Sequence, residues 1–136
     1  MIAPDSSVVI AALAPWHEAH WPARAALGEG EVRLPAHVGF ETTSALSRMP
    51  EGRRIAPAVV LEALQRGFPR PWLTMDAEGL RDALQKAVEA GVRGGALYDA
   101  LIAATAANHD AEIVSADRRA LATYQAMGVA ATIIDT

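Results

Sequence analysis

Residues 1–14 read Met1-Ile2-Ala3-Pro4-Asp5-Ser6-Ser7-Val8-Val9-Ile10-Ala11-Ala12-Leu13-Ala14. A short apolar run stops at an acid, two serines follow, and a segment rich in Val, Ile and Leu then continues until Pro15. That order predicts a strand at Ile2–Pro4 that hands over directly to a helix across Ser6–Ala14, with Asp5 at the junction. Pro4 has no N–H to give to a ladder, so it leaves the length of the strand open. The same pattern recurs near the other end, where Glu112–Ser115 reads as a strand and Asp117 precedes a helix over Arg118–Met127.

Between these two junctions the chain alternates. An amphipathic helix is predicted over His17–Leu27, closed by Gly28 and Gly30, and a strand over Glu31–Leu34. Pro35 opens a helix from about Ala36 to Arg48, Pro50 and Gly52 break it, and another follows over Pro57–Gly67. A strand at Trp72–Met75 leads to a helix capped by Asp76 that runs to about Ala90. Gly91, Gly94 and Gly95 form a loop before a helix at Leu97–Asn108, and a last strand falls at Ala131–Ile134. Alternating strands and helices imply an α/β fold, with a central parallel sheet of about four to five short strands flanked by helices. At 136 residues without a linker or internal repeat, the chain reads as one domain over 1–136.

In an open parallel sheet, ligands bind beyond the carboxyl ends of the strands, where the strand order reverses. Asp5 and Asp117 stand at that edge. Asp99 falls in the first turn of its helix, and Ala100, Ala103 and Ala104 would let that helix approach the sheet closely. Glu41, about two turns into its helix, has a side chain long enough to reach the same crevice. Each acid alone has a plainer role: Asp5 and Asp117 as helix caps, Asp99 as a first-turn dipole partner, Glu41 as a solvated surface group. Together they form a cluster of carboxylates whose mutual repulsion a divalent cation would relieve. All-oxygen ligands suit Mg²⁺, with Mn²⁺ as the alternative, and such ions serve phosphate chemistry.

Composition removes other chemistries. With no cysteine, disulfides, thiolate zinc sites and cysteine nucleophiles are excluded, which suits a reducing cytoplasm. No apolar stretch is long enough to span a bilayer, and Met1–Asp5 lacks the basic flank of a secretory signal, so a cytoplasmic protein without membrane contact is expected. The net charge of −4 disfavours unspecific binding to nucleic acid. Its cations, however, are eleven arginines and one lysine, with groups at Arg48/Arg53/Arg54 and Arg118/Arg119. Arginine is the better bidentate phosphate ligand; a solubilising face explains the same groups. His17 and His20 lack a third ligand for zinc and read as structural. Trp16 and Trp21 are expected to pack the second helix on the core rather than to stack on bases. The glycines at 91, 94 and 95 lack the Lys-Ser/Thr of a phosphate loop. A receiver-type signalling domain would need a lysine near a late strand, whereas the sole lysine, Lys86, is mid-helix.

Four motifs, Pro4-Asp5-Ser6-Ser7-Val8-Val9, Phe40-Glu41-Thr42-Thr43-Ser44-Ala45-Leu46, Tyr98-Asp99-Ala100-Leu101-Ile102-Ala103-Ala104-Thr105-Ala106 and Val114-Ser115-Ala116-Asp117-Arg118-Arg119, resemble the PIN-domain pattern in order and spacing. The overall length resembles the toxin component of VapBC toxin–antitoxin pairs. The resemblance implies a metal-dependent endoribonuclease in which Asp5, Glu41, Asp99 and Asp117 are the acidic site residues. Asp5, Asp99 and Asp117 would hold the ion, Glu41 would orient the attacking water or join the shell, and Ser7 and Ser115 would be auxiliary polar groups. It further implies in-line attack by metal-activated water on an RNA phosphodiester, leaving 5′-phosphate and 3′-hydroxyl ends. The partners implied are a VapB-type antitoxin, whose C-terminal segment would lie against the second helix and Pro57–Phe68, and a second copy in a homodimer. A catalytically silent PIN-like module that binds RNA or protein is the alternative; its usual mark is loss of an acid, and all four are present.

Overall fold

The computed structural model describes residues 1–135, in the order β1 (Ile2–Pro4), α1 (Ser6–Leu13), α2 (His20–Leu27), α3 (Ala36–Ser47), α4 (Pro57–Gly67), α5 (Ala77–Glu89), α6 (Ala96–Asn108), β2 (Glu112–Ser115), a 3₁₀ turn at Arg118–Ala120, α7 (Leu121–Ala126) and β3 (Ala131–Ile133). Strand β2 lies between β1 and β3, and both pairings are parallel. Ala3 faces Ile113 in the register of the first pair, and Val114 faces Thr132 in the second.

The expected strands at Glu31–Leu34 and Trp72–Met75 survive as single parallel bridges, Val32 to Ile2 and Leu73 to Pro35. Prolines explain the shortening of the first. Ile2 N–H donates to the Glu31 carbonyl and Arg33 N–H to the Ile2 carbonyl. The next two bonds of that parallel ladder would come from the N–H groups of Pro4 and Pro35, which have none. On the far side the Arg33 guanidinium takes the Pro71 carbonyl at 2.6 and 2.8 Å. Pro4 does not interrupt β1 on its other side, because Asp5 N–H continues the ladder to the Val114 carbonyl at 3.0 Å.

Counting those bridged segments, the rows run 73, 32–35, β1, β2, β3. The chain leaves β1 in one direction and returns on its other side, so the strand order reverses between β1 and β2. Both faces of the sheet are covered, as a parallel sheet requires. Ala3 and Ile113 face the larger core, with Val38, Leu46, Leu64, Ile102 and Tyr124, while Ile2 and Val114 face a smaller one built from Val8, Ala11, Ala19 and Ala23. Ala100 and Ala103 are buried, and their small side chains bring α6 onto the sheet edge.

Helix α2 begins at His20 rather than at His17. A start at His17 would put Pro22 in the helix interior, where it lacks a donor and its ring clashes with the preceding turn; a start at His20 leaves it in the first turn, where proline is tolerated. Near the C-terminus, the helix expected over Arg118–Met127 divides into the 3₁₀ turn and α7. The loop before α6 needs glycine at two points, since Gly91 and Gly94 take φ of +79° and +63°.

Candidate functional site

Asp5 follows β1 in extended conformation and is 3% exposed. Its Oδ1 accepts hydrogen bonds from Ser7 N–H at 3.0 Å, from Val8 N–H at 3.4 Å and from the Ser7 hydroxyl. Its Oδ2 accepts one from the Tyr124 hydroxyl at 2.6 Å. A buried carboxylate is costly unless it is hydrogen-bonded, and these four donors meet that need. The capping role and the place at the sheet edge are therefore the same arrangement: one oxygen caps α1, and the other is held by α7.

Tyr124 is fully buried, and its phenol is pushed above the ordinary range by burial and by the Asp5 charge it contacts. It stays a donor. The motifs gave no sign of this residue. Its one sequence signal is that a buried tyrosine must find a partner for its hydroxyl, which does not say which partner.

Ser7 and Ser115 tie the two strand exits together. The Ser7 hydroxyl donates to Asp5 and accepts from Ala116 N–H at 2.8 Å. The buried Ser115 hydroxyl accepts from Asp117 N–H at 3.0 Å and lies 3.4 Å from that of Ser7. Asp117 caps the 3₁₀ turn by accepting from Arg119 N–H at 3.0 Å. Its carboxylate is 40% exposed and lies 3.5 Å from the nearly free Arg119 guanidinium, an ion pair that contributes little in water.

Asp99 and Glu41 complete the group. The Asp99 carboxyl is pushed up to about 6, first by burial and then by the charges of Asp5, Glu41 and Asp117. Glu41 is raised by burial and by Asp5, with Ser6 partly opposing. All four acids thus share one electrostatic neighbourhood beyond β1 and β2. Glu41 Oε1 is buried without a hydrogen-bond partner, as is His37 Nε2, which lies 3.7 Å away. Burial holds the His37 imidazole below its usual range, so it offers Glu41 little charge.

These features fit a hard divalent cation. The donor set is all oxygen, one buried carboxylate oxygen is orphaned, and the Asp99 carboxyl is raised by burial and by three neighbouring negative charges. Among the described residues no three acidic or histidine side chains stand close enough together to hold a metal ion as they are placed.

Other sequence candidates resolve differently. His20 Nδ1 bonds the Ala11 carbonyl at 2.8 Å and His17 Nδ1 accepts from Ala19 N–H at 3.0 Å, both structural roles. Trp21 is a correction: it was expected in the core, yet it is 74% exposed. Beginning α2 at His20 turns the apolar stripe so that His20 and Ala23 face inward instead. Trp16 is also exposed, with the Arg53 guanidinium 5.2 Å from its ring centre. Lys86 donates to the Met127 carbonyl at 3.0 Å, which leaves no lysine for a receiver-type phosphate contact.

Comparison with known proteins agrees with this geometry. The PIN domain family model matches residues 2–125. Ribonuclease VapC40 of Mycobacterium tuberculosis (strain CDC 1551 / Oshkosh) is 41% identical over 134 residues, covering 98% of this chain and 99% of that protein. Ribonuclease VapC27 of M. tuberculosis strain H37Rv is 36% identical over 128 residues, covering 94% and 93%. The fold is also that of M. tuberculosis VapC20, described as a sarcin-ricin loop cleaving toxin, with a TM-score of 0.69 at 20% identity over 90% of this chain and 94% of that one. A family match from the first strand to α7, together with that identity along nearly the whole chain, means that the chain belongs to the PIN domain family.

Proposed function

We propose that residues 1–136 form one PIN-like nuclease unit, a metal-dependent endoribonuclease that acts as the toxin of a type II toxin–antitoxin pair. The observation that carries this reading is the grouping of Asp5, Glu41, Asp99 and Asp117 beyond β1 and β2, where the Asp99 carboxyl is raised first by burial and then by the charges of the other three. The ribonuclease names of VapC40 and VapC27 support it.

Asp5, Asp99 and Asp117 would hold Mg²⁺ or Mn²⁺. When bound, the ion lowers the pKa of water and offsets charge developing at phosphorus, so no protein nucleophile is needed. Tyr124 and Ser7 hold the Asp5 carboxylate in one orientation. Ser7 and Ser115 set the separation of the two strand exits. Glu41, whose Oε1 is buried without a hydrogen-bond partner, would orient the attacking water or join the ion's shell.

Two protein partners belong to this reading. A cleft of about 320 Å³ lined by Gly39, Phe40, Pro57, Leu61, Leu64 and Trp72 suits an apolar segment of an antitoxin. Leu80, Leu84 and Val88 leave an exposed stripe along α5 that suits a second copy in a homodimer.

The deciding experiment incubates the purified protein with total RNA, with and without Mg²⁺ or Mn²⁺, beside Asp99→Asn, and maps new 5′ ends. Discrete metal-dependent cuts missing from the variant are expected. A folded, metal-binding protein that cuts nothing would favour the silent RNA- or protein-binding module.

A further inference from the structure

Helices α1, α3 and α6 line an open pocket of about 430 Å³ that includes Ser6, His37, Phe40, Glu41, Arg48 and Tyr98. That is within the range of small-ligand clefts, roughly 300–1,000 Å³. The pocket adjoins the acidic crevice: Glu41 belongs to both, and Tyr98 directly precedes Asp99. The His37 and Tyr98 rings are stacked, with centres 5.2 Å apart and planes within 9°. Tyr98 is 54% exposed and Phe40 76% exposed, so two aromatic rings are kept out of the core at the edge of the site.

We infer that this pocket seats one unpaired RNA base beside the scissile phosphate, with Phe40 and the His37–Tyr98 stack as its platforms. Single-stranded RNA is recognised by stacking splayed bases on aromatic rings and by hydrogen bonds to their edges. The pocket supplies both. Ser6 and Ser44 bring hydroxyls to the lining, and the His37 and Glu41 side chains border it. A neutral base suits a cleft bordered by a carboxylate; a phosphate there would be repelled. Arg48 lines the same cleft and forms no ion pair among the described residues; its Nε bonds the Ser44 carbonyl, and its guanidinium is the cation at this cleft that a phosphate outside it, flanking the base, would meet. Phe40, Tyr98 and Arg48 are then specificity and positioning residues.

This inference rests on the ribonuclease reading, and its test separates the two. The probe is a mixed-sequence single-stranded RNA carrying 2-aminopurine, titrated in EDTA so that nothing is cut. Saturable quenching by the wild-type protein is expected. Phe40→Ala and Tyr98→Ala, both at exposed positions, weaken binding roughly tenfold each, the usual loss of one stacking partner, and Tyr98→Phe retains it. With Mg²⁺ added, the base preference beside the cut flattens in both alanine variants, and KM changes more than kcat. Unchanged quenching and an unchanged cleavage pattern in both variants overturn the base seat and leave the pocket to a protein side chain. A wild-type protein that gives no quenching also overturns it. Quenching lost in the variants, with no cleavage by the wild type under any metal, supports the base seat and overturns the nuclease.

Discussion

The Tyr124 hydroxyl donates to Asp5 Oδ2 at 2.6 Å, joining the end of β1 to α7 across 119 positions of sequence. Each is buried, and each is the other's solution: the phenol needs an acceptor and the carboxylate needs a donor. Tyr124→Phe keeps the ring and removes the bond. Loss of a charge-assisted bond to a buried group costs about 2 kcal/mol, or several degrees in Tm for a domain of this size. Urea denaturation checks the energy, and metal titration of the same variant should show weaker binding. An unchanged midpoint would mean that Asp5 does not depend on Tyr124.

Asp99→Asn removes one charge from the cluster while preserving shape. Cleavage should be abolished and metal affinity lowered at least tenfold by isothermal titration, because an anionic ligand is lost. The metal-free variant should nonetheless be slightly more stable than the wild type at pH 8, by about 1 kcal/mol after allowing for solvent screening. Full cleavage by Asp99→Asn would remove this residue from the site.

The pH dependence follows from the same group. Folding raises the Asp99 pKa from 3.8 to about 6, so the folded state holds its proton more tightly than the unfolded chain. Stability of the metal-free protein is therefore greatest below pH 3.8 as far as Asp99 is concerned, declines between pH 3.8 and 6, and is level above that. Subtracting the melting curves of Asp99→Asn from those of the wild type isolates this contribution. A wild type that loses stability relative to Asp99→Asn as the pH falls from 6 to 3.8 would contradict the assigned direction.

Metal binding needs the ionised form, so the metal competes with that proton. Affinity for Mg²⁺ or Mn²⁺ should fall about tenfold per pH unit below 6 for one competing proton, and more steeply if the raised Glu41 also takes part. Titrations at pH 5, 6, 7 and 8 measure the slope. A flat profile would mean that neither acid holds the ion.

The stripe on α5 predicts the oligomeric state. Leu84→Glu places a charge in the middle of exposed Leu80, Leu84 and Val88, without touching the core. Light scattering should report a dimer for the wild type and a monomer for the variant, with the same far-ultraviolet spectrum. A monomeric wild type would set aside the homodimer.

Local rules made much of this site legible. Asp5 and Asp76 cap their helices because a carboxylate and the N–H groups it satisfies lie two or three residues apart, a distance over which sequence order is nearly spatial order. The position of Asp117 after β2 was readable for the same reason. The exposure of Trp21 was not, because it depends on where α2 starts, and Pro22 sets that start.

By itself, the sequence determined the alternation of strands and helices, the acids at the strand exits and the absence of thiol chemistry, since periodicity, capping and composition act over a few residues or none. Tertiary structure decided what depends on distant partners. It set Tyr124 against Asp5, it set Pro4 and Pro35 in successive places of one ladder so that the expected strand at Glu31–Leu34 shrank to a bridge, and it left Glu41 Oε1 without a partner next to a stacked His37 and Tyr98. Such contacts arise when packing the sheet and helices brings remote residues together, and no short stretch of chain encodes them alone.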